Sequence, residues 1–323
     1  MAKLSIDQLR KYVFSRTGAP DPDVLRVPGV GEDAAVVRLS DDLYLVSHTD
    51  PITAATHNLG RLAIYVSSND IAVKGVRPRY ALVTLLLKDG TEDYEIDEIT
   101  AQMHRSALEL GISLVGGHTE IVSRLRENIA IVTQIGISRR KPLDIKEIRD
   151  GDLLLQVNEA GIEGTAVIAY DHPDLIVQFD EGGLELAMSY MERVSVVRDA
   201  LRLSELGVRA MHDPTEGGLI GGAVEMAVAS GLSLEVDYDK VLISPITRSI
   251  CEHLGLDPLK LLSSGSVLAA AERQVAEAVL REYGERASII GRFTRGPPGL
   301  ILKRNDRSEI YTEPPQDEIY RLI

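Results

Sequence analysis

Five acidic residues stand where an apolar residue or a plain turn would be expected, and their chemistry is that of divalent-cation binding. In VPGVGEDAAVV (27–37), Glu32 and Asp33 lie between a glycine-bracketed turn and a small apolar run that reads as a buried strand. An unpaired buried carboxylate costs several kcal/mol, so such a group needs a cation, a donor or water. Asp50 ends the alternating stretch LYLVSHTD (43–50) just before Pro51. Strand ends commonly carry function, although this position alone also fits a turn. In NLGRLAIYVSSNDIAVKG, Asn69 and Asp70 fall on the helical stripe set by Leu62, Val66 and Val73, so a carboxylate points toward the core. It either pairs with a buried Arg or backbone donors, or it serves a metal or active site. Asp213, in HDPTEGGLIGG, follows a short apolar strand and precedes a helix whose first turn offers free N–H groups. That arrangement can bind an anion, and Asp before Pro also marks ordinary turns. In LVGGHTEIV (114–122), Gly116 and Gly117 lead into His118, Thr119 and Glu120, where glycine permits close approach of a ligand or simply makes a turn. Acids that recur in this way suit a divalent metal, which neutralises them and bridges to phosphate oxygens.

The elements that must position these residues are legible from periodicity. Ser5 and Gln8 have capping-box spacing at the start of an amphipathic helix over 5–16. Strands follow at 34–38 and 43–47, a helix at 58–74, a strand at 80–87, a helix at 95–110, and strands at 112–115 and 129–137. A charged stretch around Pro142 ends this pattern. The expected organisation is an N-terminal helix and arm at 1–27, an α+β domain at 28–143, a second domain at 144–305, and a polar tail at 306–323. In the second domain, a strand at 153–157 is followed by helices to about 206. A strand at 208–211 then leads into a helix of small residues ending near Ser230.

Composition narrows the function. The 323 residues carry a formal charge of −14, which repels a phosphate backbone and excludes general nucleic-acid binding. No run approaches the roughly 18 apolar residues of a membrane span, so the chain reads as soluble and cytoplasmic. Its one cysteine, Cys251, excludes an intrachain disulfide and a multi-cysteine metal site, and reads as a small core residue in a helix. There is no GxxxxGK[ST] loop, GxGxxG turn, HExxH helix or GxSxG elbow. Phosphate would have to be handled through metal-bridged carboxylates and glycine-rich backbone.

The ordered set GEDAAVV, HTD, SSNDIAVKG, GGHTE and HDPTEGGL resembles the aminoimidazole ribonucleotide synthetase (PurM-like) superfamily over about residues 28–303. Its members include thiamine-monophosphate kinase, selenophosphate synthetase and the hydrogenase maturation factor that makes the nitrile ligand. The resemblance implies an α+β, two-domain PurM-like fold. Its N-terminal α+β domain would pair its sheet with a second subunit in a homodimer, beside a C-terminal α/β domain, with ATP and Mg²⁺ in the cleft. It implies metal binding by Glu32, Asp33, Asp50, Asp70 and Asp213, and catalytic roles for Asp70, Asp213 and His118. Nucleotide contacts are implied for Gly31, Asn69, Gly116, Gly117, Thr119, Glu120, Gly217 and Gly218. The reaction it implies is ATP-dependent phosphoryl transfer to an oxygen of a small substrate.

Within the superfamily, HDPTEGGLIGGAVEMAVASGLSLEV, CEHLGLDPLKLLSSGSVLAAA and ASIIGRF are similar to the maturation factor. Two departures stand out. That factor carries its substrate on a C-terminal cysteine, whereas this sequence ends DEIYRLI, and it has Arg where this chain has Glu216. Dehydration on a cysteine tail is therefore not expected. His118 stands where thiamine-monophosphate kinase typically has Asp, and the reactive N-terminal Cys of selenophosphate synthetase is missing. The alternatives are a catalytically inactive nucleotide-binding regulator or maturation-protein partner, and a thiamine-monophosphate kinase.

Overall fold

The computed structural model describes residues 4–53, 55–176, 179, 181–305 and 307–322. The first three residues of the expected arm, and Asp306 and Ile323 of the expected tail, lie outside the described residues.

Ser5 and Gln8 cap each other reciprocally at the start of α1 (Ile6–Leu9), which widens into a π turn over Arg10–Phe14. The first sheet contains β1 (Val24–Arg26), β2 (Ala35–Ser40), β3 (Leu43–Ile52), β4 (Pro78–Leu87), β5 (Ser113–Ile121) and β6 (Ile129–Ser138). Their order is β1-β2-β3-β6-β4-β5, antiparallel except for the β4–β5 pair. Alternation in β3 sends Val46 to the core and brings His48 and Asp50 to one face. Two helices accompany this sheet, α2 (Leu59–Ala72) and α3 (Asp93–Leu110). Every residue of α2 from Leu59 to Ala72 except Arg61 is buried, because the helix is enclosed by β3, β6, α3 and a helix of the second half. A helix buried all round is where a polar residue most needs a partner.

The second sheet contains β7 (Leu153–Val157), β8 (Ala210–His212), β9 (Ser233–Asp237), β10 (Val267–Ala271), β11 (Ala287–Thr294), β12 (Gly299–Arg304) and β13 (Arg307–Tyr311). Its order is β13-β12-β9-β11-β7-β10-β8, with β12 and β9 parallel and the other pairs antiparallel. Around it run α4 (Ile162–Asp171), α5 (Glu181–Ser189), α6 (Val197–Leu206), α7 (Gly218–Ser230), α8 (Pro245–Leu254) and α9 (Arg273–Tyr283). One apolar core joins the halves, with Leu62, Val66 and Val132 from the first and Leu155, Val167 and Leu203 from the second.

Two sequence expectations are corrected. The stretch expected as a tail is built into the fold: Arg307–Tyr311 pairs with β12, and Ile319 is fully buried as an apolar anchor. The strand expected at 112–115 does not turn at its glycines. It continues as β5 to Ile121, because Gly117 lets the backbone close on β4. A Cβ at Gly117 would lie 1.7 Å from the Val83 carbonyl oxygen.

Candidate active site

Asp33 lies in the loop before β2, Asp70 in the last turn of α2, and Asp213 directly after β8. Although they come from both halves of the chain, each offers an oxygen within 4.8 Å of the other two, and all three residues are buried. Asp70 also belongs to a second group, whose ligand atoms from His48, Asp50 and Asp70 likewise lie within 4.8 Å of one another. His48 Nε2 is 3.4 Å from Asp70 Oδ2.

Two buried cations hold part of this negative charge. Lys74, one turn beyond Asp70, places its ammonium 3.3 Å from Glu32 and 3.7 Å from Asp33. The His212 ring, at the end of β8, is 2.5 Å from Asp33 through Nδ1 and 2.9 Å from Glu225 through Nε2. Burial opposes a charge on His212, but Asp33 and Glu225 override it and raise the imidazole well above its usual range, so both ring nitrogens donate. Burial likewise opposes ionisation of Asp33, and His212 and Lys74 reverse this and hold it below the usual carboxylate range. Asp213 goes the other way, pushed well above that range by burial and then by the Asp33 charge. Both of its carboxylate oxygens, and Asp33 Oδ2, are buried without a hydrogen-bond partner. A divalent cation between the three acids would remove that penalty, and an all-oxygen donor set suits Mg²⁺. The residues fit the metal.

Beside this cluster lies a cavity of about 250 Å³ lined by Asp50, Glu163, Thr215, Glu216, Val66 and Leu262, among others. Glu163, in the first turn of α4, has a buried Oε2 without a hydrogen-bond partner. Burial, followed by the nearby Asp317 and Asp50 charges, pushes its carboxyl up to about 7 against the pull of Ser264.

Several sequence-derived site residues are placed elsewhere. Glu32 turns away from the acid cluster and is held by Lys74, Arg26 and Lys146, because adjacent residues of the loop face different sides. The Asn69 amide is fully engaged: its Nδ2 donates to the Val194 carbonyl at 3.0 Å and its Oδ1 accepts from the Val196 N–H at 2.9 Å. It clamps the two halves together. Gly116, Gly117, His118, Thr119 and Glu120 lie on exposed β5, where the His118 ring is 3.5 Å from Glu120. β5 is three strands from β3, roughly 14 Å at the usual strand spacing, so within one chain these residues do not meet the acids. The Gly217 N–H is taken by the Asp317 carboxylate at 2.8 Å, and Gly218 packs against the Leu259 and Leu261 carbonyls. Gly31 lines a cavity of about 630 Å³ between the arm and the C-terminal segment.

Sequence reasoning missed His48, Lys74, Glu163, His212 and Glu225. Signals existed for three of them. His48 is two residues before Asp50 on one strand face, Lys74 is four after Asp70, and His212 adjoins Asp213.

Residues 31–138 match the AIR synthase related protein N-terminal domain, and residues 149–303 match the AIR synthase related protein C-terminal domain. The chain belongs to the AIR synthase related family. These two matches enclose Asp33, Asp50, Asp70 and Asp213. The chain is similar to carbamoyl dehydratase HypE of Rhodobacter capsulatus, with 27% identity over 307 residues that cover 93% of this chain and 87% of the relative. Its fold is similar to that of the hydrogenase maturation protein HypE in complex with ATP (TM-score 0.72, 24% identity, 97% of this chain and 96% of the other). It is also similar to that of AaThiL complexed with AMPPCP and TMP (TM-score 0.73, 19% identity, 95% of both chains).

Proposed function

We propose that this AIR synthase related chain is an ATP- and Mg²⁺-dependent enzyme that transfers a phosphoryl group to an oxygen of a small substrate. One observation carries this reading: Asp33, Asp70 and Asp213 converge from both halves, and Asp33 Oδ2 and both carboxylate oxygens of Asp213 are buried without a hydrogen-bond partner. Asp33, Asp70 and Asp213 would hold Mg²⁺, with Asp50 beside them. The bound metal would neutralise phosphate charge and align the transferring group, which is most of what such a transfer requires. Lys74 and His212 fix the orientation of Asp33. The neighbouring 250 Å³ cavity seats the acceptor, where Val66 and Leu262 exclude water and Glu163 presents a hydrogen-bonding carboxyl. Cys251 has no part in the chemistry, since it is buried in α8 and burial pushes its thiol up to about 12. The exposed nine-residue edge of β5, with Leu114, Val115 and Ile121 exposed, supports pairing with a second copy in a homodimer.

Calorimetric titration of ATP into the protein tests the proposal. Binding should require Mg²⁺, disappear in chelator, and be lost in Asp213→Asn. Equal binding with and without metal would refute it. A second reading, a nucleotide-binding regulator or maturation partner without catalysis, is favoured by one contact. Asp317 already occupies the Gly217 N–H at the start of α7, a donor that an anion would use. Sustained ADP release in the presence of any acceptor excludes that reading.

A further inference from the structure

The cavity of about 630 Å³ between the arm and the C-terminal segment has a chemistry of its own. Its volume lies within the range of small-molecule sites, roughly 300–1,000 Å³. Ile6, Leu9 and Phe14 line it from the arm, and Pro314, Pro315 and Tyr320 from the C-terminal segment. α1 and the π turn after it are too short to be stable without tertiary packing, yet their apolar residues border an open space in place of a filled core. Four carboxylates, Glu216, Glu225, Glu313 and Asp317, share the lining, and no Lys, Arg or His is found among the described residues that form it. Burial pushes the Asp317 carboxyl up to about 6 against the backbone N–H groups of Ile319, Gly217 and Leu262, and the Glu216 charge adds to that push. The cavity is apolar in body and negative in field.

We propose that this cavity binds a small organic cation, an ammonium group carried on an aromatic or branched apolar body. The ammonium meets the carboxylates, and the body displaces water from the arm and the proline pair. Phe14 and Tyr320 add aromatic surface, which attracts a cation as well as an apolar group. The same residues disfavour two other ligand classes. Anions, nucleotides included, are repelled by the four carboxylates. A metal ion needs ligand atoms within reach of one another, and among the described residues these four acids form no such group. The site stands apart from the acid cluster but touches its support. Glu225 Oε2 is 2.9 Å from His212 Nε2, and His212 holds Asp33 through its other ring nitrogen.

The test uses the full-length protein in chelator without nucleotide, so its outcome is independent of whether ATP binds or is turned over. Tryptamine is the probe, because the chain contains no Trp and indole emission excited above the tyrosine band reports the ligand alone. Its anisotropy should rise saturably with protein. Tryptophol, the uncharged alcohol of the same indole, should bind at least about tenfold more weakly, the weight of one charge-assisted contact, and indole-3-propionate should not bind. Leu9→Lys, which brings an ammonium group to the cavity from the arm, should weaken tryptamine by at least about tenfold and leave the circular dichroism spectrum unchanged. In the wild type, nuclear Overhauser contacts from the indole protons to the Ile6 and Leu9 methyl groups should locate the ligand. This readout does not depend on the variant folding. Absence of saturable binding, equal affinity for the three indoles, full affinity in Leu9→Lys, or contacts only to methyl groups elsewhere would overturn the proposal.

Discussion

Glu163→Gln should stabilise the protein at alkaline pH, and the size of the effect follows from the structure. The Glu163 carboxyl titrates near 4.5 in an unfolded chain and at about 7 in the folded one. Between those values the folded state holds a proton that the unfolded state has released, so stability falls as pH rises through this window and levels off above it. At about 1.4 kcal/mol per pH unit, the loss comes to about 3.5 kcal/mol. Glutamine keeps an oxygen for the Ser264 contact and carries no charge at any pH, so the variant escapes the loss. For a chain of 323 residues unfolding as a unit, the advantage corresponds to about 5 °C in melting temperature. Urea unfolding of both proteins in chelator, at pH 5 and pH 8, measures it. The stability difference between them should grow by about 2 to 3 kcal/mol toward Glu163→Gln at the higher pH. Titrating groups that do not interact with Glu163 are common to both proteins and cancel. A difference that does not change with pH would refute the assignment of Glu163 as a buried acid with an uncompensated charge.

Asn69→Ala leaves the Val194 carbonyl and the Val196 N–H buried without their partner, and should cost about 2–4 kcal/mol in unfolding experiments. Gly117→Ala drives a methyl group into the Val83 carbonyl and should separate β5 from β4, seen as lost amide protection in β5 by hydrogen exchange. Val115→Lys, on the exposed edge, should leave the fold intact and convert a dimer to a monomer in light scattering; a wild type that is already monomeric would remove the basis for the homodimer. Asp70→Asn should abolish the Mg²⁺-dependent rise in melting temperature while leaving the circular dichroism spectrum unchanged.

The acids themselves were legible because each stands at a position that hydrophobic patterning reserves for something else. Asp70 on the stripe of α2 is the clearest case. Their partners were less legible, since pairing depends on which strands meet. The distance from His212 to Asp33 spans 179 positions of sequence, and no local pattern reports it. Adjacent residues also diverge: Asp33 faces the cluster while Glu32 faces Lys74 and Arg26, a distinction fixed by loop geometry and not by residue type. Asn69 looked like a ligand for the same reason as Asp70, a polar group on a buried stripe, but its amide is satisfied by backbone of the second half. The glycines of β5 were read as room for a ligand, and the room is filled by β4. The polar C-terminal stretch concealed a strand and one apolar anchor, Ile319, too short a signal for periodicity to register.

The division of the acid cluster between the two halves has a consequence for how the protein is made. Asp213 follows Asp33 by 180 residues, so at 5–20 residues per second a ribosome displays the first acid for about 9 to 36 s before it synthesises the last. Throughout that interval the three-acid pocket is incomplete, and Asp33 lacks the His212 that later steadies it. On the proposed reading, a cation held by all three acids could not reward a half-made molecule with stability. Binding there would be a checkpoint that only the finished, correctly docked chain can pass.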